Sequence, residues 1–192
     1  MCEPINFFTT DVPSWRPRIS PLQIEDASAE QLEFLRVTSS NTKIGDFTRV
    51  LALEYETLLP LTRLISGIML GQGGLSRPET ELGAVSASVV NRSFYCAAAH
   101  SHQYNLLTKN DTVMDSILSL RESTHFSPRK EALFHFASKL SQSPPEGIKA
   151  DMVRLLDNGL NMEEILDLVL TVSLFGWVNR LSQVLGDPLP QN

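Results

Sequence analysis

Cysteine is scarce in this chain of 192 residues, which holds two, Cys2 and Cys96. That scarcity excludes a disulfide framework, and a single domain of this length buries enough surface to fold without one. Basic residues are short as well, with 16 Lys plus Arg against 22 Asp plus Glu and a formal net charge of −6. With no basic run, the surface is not built to neutralise the phosphates of nucleic acid or of an anionic membrane. The opening Met1-Cys2-Glu3-Pro4-Ile5-Asn6 lacks a charged segment followed by an apolar one, so no secretory signal is expected and a reducing, cytoplasmic setting is. Also missing are a convincing alternating strand, an internal repeat and a low-complexity tract. What remains is an all-α pattern in one domain.

Residues 1–22 contain Pro4, Pro13, Pro17 and Pro21 with Phe7, Phe8 and Trp15 between them, which suits an extended arm. Its apolar content requires that it lie on its own domain or on a neighbouring subunit. Residues 23–192 read as helical. Two or three helices are expected between Ile24 and Gly73, with Pro60 a start or a kink. Gly71-Gln72-Gly73-Gly74-Leu75 lacks the Gly-Lys-Ser/Thr ending of a phosphate-cradling loop and reads as a linker.

Ser76-Arg77-Pro78-Glu79 has the form of a capping box, so a helix should start there. Its small residues Gly83, Ala84, Ser86, Ala87 and Ser88 would let another helix come close. The polar Asn91-Arg92-Ser93 separates it from a second helical stretch, Phe94 to Leu107. Further helices are expected at Thr112–Ser119, Pro128–Leu140 and Pro145–Leu156, the last stopped by Asn158-Gly159. A final helix opens with Asn161 and Glu164 in capping positions. Its apolar stretch from Ile165 to Val178 is broken by polar residues and is too short for a membrane span, so it should be a buried core helix that ends the chain.

Cys96 and His100 stand four apart, which on a helix puts thiol and imidazole on one face about a turn apart. If Ser93 caps that helix, Cys96 takes its third position, where unpaired N–H groups and the dipole favour the thiolate. A buried inert thiol and a surface imidazole would share the face equally well. Glu81, fifteen residues earlier, would lie about 22 Å away on one straight helix. Contact therefore needs a bend, which Asn91-Arg92-Ser93 can supply, bringing Glu81 towards His100; otherwise Glu81 complements the dipole at its own helix start. Tyr95 either lines a pocket or packs. His102 points to another face, and His125 and His135 have no partner pattern. Cys96, His100 and Glu81 lack a fourth ligand, so no metal is expected.

Read from Glu81 to His100 as Glu-x11-Ser-x2-Cys-x3-His, the sequence resembles the active-site signature of the alkylhydroperoxidase D-like group in the carboxymuconolactone decarboxylase superfamily, usually Glu-x11-Cys-x2-Cys-x3-His. Ser76 to Gln103, Lys130 to Leu140, Asp157 to Asp167, and Trp177 to Leu181 before Leu185-Gly186 are similar to its peroxidase-related branch. The resemblance implies an all-α, single-domain helical bundle that assembles as a homo-oligomer, for which the arm and the Gly83–Ser88 segment would suit an interface. It also implies a thiol-dependent peroxidase-like oxidoreductase without a cofactor. Cys96 matches the peroxide-attacking cysteine, and His100 and Glu81 match its proton relay. Ser93 stands where the resolving cysteine normally sits, so an external thiol would have to regenerate Cys96. The superfamily's lactone decarboxylation by proton transfer, or a catalytically impaired binding or assembly module, are the alternatives.

Magnitudes rank the expected contributions. A thiol of ordinary pKa is about 3% thiolate at pH 7, and lowering the pKa by roughly two units raises that about 25-fold. Lost nucleophilicity takes back roughly eightfold of the gain. A positioned acid or base contributes about 10²–10⁴-fold, so His100 and Glu81 should matter more than the thiol pKa.

Overall fold

Ser76 and Glu79 open the helix around which the chain is arranged. The computed structural model describes residues 3–38, 44–120 and 126–191. Along them run β1 (Ser14–Pro17), α1 (Ala29–Thr38), α2 (Asp46–Leu51), α3 (Tyr55–Leu70), α4 (Arg77–Val90), α5 (Phe94–Thr108), α6 (Thr112–Leu120), α7 (Pro128–Leu140), α8 (Lys149–Asp157), α9 (Met162–Leu185) and β2 (Gly186–Leu189). The all-α expectation holds apart from the two four-residue strands. At the start of α4 the Glu79 carboxylate accepts from the Ser76 backbone N–H at 3.1 Å and from its hydroxyl at 2.6 Å, and Pro78 sits in the first turn, where a missing N–H costs nothing.

Every residue of α4 from Thr80 to Val89 is buried. The helix packs against α5, α7 and α9, and its small side chains allow that crowding. A Cβ on Gly83 would lie 3.2 Å from Leu168 Cδ1 and 3.4 Å from Thr171 Cγ2. The Gly83–Ser88 segment is therefore used inside the chain. Arg129, near the start of α7, fixes these helices at one end. Its guanidinium bonds Glu79 Oε1 at 2.6 Å, Glu164 Oε1 at 2.6 Å and the Gly159 carbonyl at 2.7 Å. Glu164 in turn accepts from the Asn161 N–H at 2.8 Å, so one arginine ties together the capping carboxylates of α4 and α9.

The main core gathers residues of α4, α5, α6, α7 and α9, including Leu82, Val85, Tyr104, Leu133, Leu168 and Phe175. A smaller cluster of Leu22, Phe34, Leu35, Ala52 and Leu58 forms where α1 and α3 meet the end of the arm. α3 runs through Pro60, beginning five residues before it.

The strands escaped the sequence because each is too short to alternate, and Ser14 pairs with Leu189 across the whole chain. β1 and β2 run antiparallel, Trp15 donates from its indole N–H to the Ser182 carbonyl at 3.2 Å, and Arg18 reaches Asp187 at 2.5 Å. The arm thus lies on its own chain. Gly186 admits it: a Cβ there would stand 2.3 Å from the Trp15 ring. α8 starts at Lys149 rather than Pro145, because the Asp151 carboxylate caps the Ile148 N–H at 2.9 Å. Gly159, at φ +83°, closes it as expected. With 24 residues, α9 is longer than its apolar stretch suggested and long and apolar enough to cross a membrane by length and composition. Its residues Ile165, Leu168, Val172 and Phe175 are instead buried in the core, as expected, and the chain continues into β2.

Candidate active site

The hairpin between α4 and α5 sets the site. Asn91 caps α4, Arg92 takes the left-handed conformation at φ +57°, and the Ser93 N–H donates to the Ser88 carbonyl at 2.8 Å. The polar Asn91-Arg92-Ser93 segment is thus the bend that the sequence required, and α5 folds back along α4. Cys96 is the third residue of α5, with Ser93 at its N-cap position.

The reversal brings Glu81 and His100 together across 19 positions: His100 Nδ1 and Glu81 Oε2 are 2.5 Å apart. With a carboxylate oxygen opposite it, Nδ1 carries the hydrogen, which leaves Nε2 as the free acid or base. Glu81 has no exposed surface and lies in the second turn of α4, so it does not complement the dipole at the helix start; Glu79 does. Its other oxygen, Oε1, faces the Arg77 guanidinium one turn back. That contact matches charge to charge without an aligned N–H, so Oε1 has no hydrogen bond. A buried carboxylate needs such partners, since an unpaired one costs several kcal/mol. This cation, Arg77, escaped the sequence reading, although its spacing of four from Glu81 was a usable signal.

Cys96 departs from expectation in one respect. It holds the helix position that favours a thiolate, yet burial pushes its thiol up; the Ser93 and Ser182 hydroxyls pull it back only in part. Desolvation of a side chain that is 5% exposed outweighs the helix terminus. The Ser93 hydroxyl caps nothing and is buried without a hydrogen-bond partner. Ser182, on α9, is the second residue that the sequence did not reveal: it lies 86 positions from Cys96, with no local pattern to join them.

Two cavities flank this turn of α5. One, of about 200 Å³, is lined by His100 with Phe34, Phe47, Leu58, Ile65 and Trp177 among its walls. Phe175 stands edge-on to the imidazole there, ring centres 4.5 Å apart. The other, of about 280 Å³, lies at the start of α5 and is lined by Arg92, Ser93, Tyr95 and Ser182, the two serines being those beside the thiol. Tyr95 therefore lines a cavity, and burial raises its hydroxyl pKa, with Cys96 adding to the effect. Cys96 is among the lining residues of neither cavity. His102 is exposed, as is His135, whose Nδ1 stands 3.8 Å from Asp151. Cys2 and His125 lie outside the described residues.

Residues 56–139 match the model of the Carboxymuconolactone decarboxylase family. No curated protein matches the chain. Among solved structures it is similar to an uncharacterized peroxidase-related protein from Ralstonia eutropha JMP134, described as an alkylhydroperoxidase AhpD core, with a TM-score of 0.78 and 23% identity over 88% of this chain and 90% of that one. A peroxidase-related protein from Silicibacter sp. TM1040 gives 0.74 and 24%, over 96% and 93%. The debrominase Bmp8 gives 0.75 and 17%, over 87% and 89%. These likenesses are of fold. Residues 56–139, the segment that carries Glu81, Ser93, Cys96 and His100, are thus similar to the carboxymuconolactone decarboxylase family, and the fold of the chain is alkylhydroperoxidase D-like.

Proposed function

We propose that the protein is a thiol-dependent, peroxidase-like oxidoreductase in which Cys96 reduces a hydroperoxide and His100 with Glu81 moves the proton. The observation that carries this reading is the contact of the buried Glu81 with His100 at 2.5 Å, His100 standing one helical turn beyond the thiol on α5. The family and the peroxidase-related neighbours support it at the level of enzyme class.

Cys96 rests as a thiol. The imidazole takes its proton as the sulfur attacks the nearer peroxide oxygen; the O–O bond breaks, and the same proton goes to the departing alkoxide. Thiol and hydroperoxide become sulfenic acid and alcohol, the sulfur being oxidised and the peroxide reduced. With Ser93 in the resolving position, two molecules of an external thiol then return the sulfenic acid to thiol, releasing water and their own disulfide. Treating the reduced protein with one equivalent of tert-butyl hydroperoxide in the presence of dimedone tests the first half. A dimedone adduct on the Cys96 peptide is expected. No adduct and no oxidation at Cys96, under conditions that oxidise a free thiol, would sink the reading.

One observation favours a second reading, lactone decarboxylation or related proton transfer by His100 and Glu81. His100 lines the 200 Å³ cavity and Cys96 does not, while burial holds the thiol protonated. Full turnover of a lactone by Cys96→Ser would favour it.

A further inference from the structure

We infer that the cavity at the start of α5 is an anion site that seats the carboxylate of the external reductant, so that the thiol returning Cys96 to its reduced form is a small one bearing a carboxylate. The inference rests on the peroxide-reducing reading above for the oxidised state of Cys96, and on the cavity alone for the binding.

The chain carries a net charge of −6, yet this cavity gathers positive charge. Arg18, Arg92 and Asp187 are the charged residues on its walls. Asp187 is already matched twice, by Arg18 at 2.5 Å and by Arg16 at 3.3 Å. Arg92 is exposed and has no carboxylate partner among the described residues, so its guanidinium is free to take one from a ligand. Donors of a second kind converge beside it. Phe94 and Tyr95, the first residues of the 15-residue α5, also line the cavity, and the Ser93 side chain leaves the N–H groups of that helix end uncapped. Ser93 itself is the independent sign of a ligand. It lines the cavity at 1% exposure, and its hydroxyl has no hydrogen-bond partner. A buried hydroxyl left in that state is costly, and a ligand oxygen would satisfy it.

Position makes the ligand a thiol. Ser93 and Ser182 both line the cavity, and their hydroxyls flank the Cys96 sulfur, so a ligand filling it stands against the two small side chains beside that sulfur. A benzene ring needs about 150 Å³. The 280 Å³ here has room for a carboxylate and a thiol joined by a few carbons. The cavity beside His100 offers no Lys or Arg to a carboxylate. Arg18, Ser182 and Asp187 lie outside residues 56–139, so the site is built by the arm and the end of the chain as much as by the segment that carries Cys96. In the reaction, the bound thiol attacks the sulfenic sulfur, the S–O bond breaks, and the hydroxyl leaves as water with the thiol's proton, which gives a mixed disulfide. A second molecule of the same thiol attacks that disulfide, its proton goes to the Cys96 sulfur, and the reductant's own disulfide leaves; two thiols are oxidised and one sulfenic acid is reduced.

The test needs no hydroperoxide. Methylthiopropionate, which carries the carboxylate without a reactive thiol, is titrated calorimetrically into the reduced protein beside its neutral amide. In parallel, the rate at which Cys96 forms a mixed disulfide with dithiodipropionate is compared with that for the diamide, read from the mass of the Cys96 peptide and normalised to the same reactions of mercaptoethanol, in the wild type and in Arg92→Gln. Saturable binding of methylthiopropionate, an amide weaker by about tenfold or more, and a carboxylate preference of about tenfold at Cys96 that is lost in Arg92→Gln are expected. An amide bound as tightly, or no carboxylate preference at Cys96, overturns the inference and leaves the oxidation of Cys96 by hydroperoxide untouched. A carboxylate preference at a Cys96 that no hydroperoxide oxidises upholds the anion site and sinks the peroxide reading. If Arg92→Gln does not fold, the wild-type titration and rate ratio decide.

Discussion

His100 Nδ1 and Glu81 Oε2 meet at 2.5 Å although one stands on α5 and the other on α4, 19 positions apart. The Arg92 reversal makes the contact, and the burial of Glu81 makes it strong, because little water competes for the carboxylate. The bond fixes the imidazole's tautomer and orientation and leaves Nε2 to handle protons. In the proposed reaction, catalysis rests on this pair, while the thiol supplies the nucleophile.

Arg77 should hold the pair electrostatically. Arg77→Met leaves the Glu81 carboxylate buried without its cation and is expected to lower stability by about 1–3 kcal/mol, less than a fully buried pair because Arg77 keeps 29% of its side chain exposed. The double variant Arg77→Met with Glu81→Gln should recover part of that loss. Urea unfolding of both variants measures it, and strict additivity would argue against the coupling.

The raised thiol pKa has a sign in the stability curve. Burial keeps the folded thiol protonated above the ordinary value near 9, whereas the unfolded chain ionises there. The folded state then binds more protons, so stability falls as pH rises above about 9. Cys96→Ala should show a shallower decline over the same range in thermal melts, and Cys96 should react with iodoacetamide more slowly than a small-molecule thiol at pH 8.

Ser93→Cys should restore a local partner, because the Ser93 hydroxyl already sits beside the sulfur. After one equivalent of hydroperoxide, this variant is expected to lose both thiols, to gain an intramolecular disulfide and to give no dimedone adduct. A persistent adduct, in a variant that melts like the wild type, would show that the two side chains do not reach each other.

Arg129→Met should loosen the ends of α4 and α9 together, since Glu79 and Glu164 lose one shared cation. A loss of about 1–2 kcal/mol in urea unfolding is expected. Glu79→Gln on top of it should cost less than Glu79→Gln alone.

Local rules made much of this legible. Ser76 with Glu79, Asn161 with Glu164 and the Asn158-Gly159 stop announce helix ends through short-range hydrogen bonds, and Asn91-Arg92-Ser93 announced the bend that Glu81 needed. Tertiary packing hid the rest. The β1–β2 pairing spans the chain, Ser182 reaches Cys96 from α9, and the cavity beside His100 is walled by residues from α1, α2, α3 and α9. The thiol misled because helix position argued for a thiolate while burial, which no local pattern encodes, argued more strongly against it.

The most direct measurement is the single-turnover rate of Cys96 oxidation by cumene hydroperoxide in His100→Gln and Glu81→Gln beside the wild type, with melting curves to confirm that each variant folds. A positioned acid or base contributes about 10²–10⁴-fold, so a fall of about a hundredfold or more is expected for His100→Gln and a smaller fall for Glu81→Gln. Rates within about threefold of the wild type in a folded His100→Gln would contradict the relay.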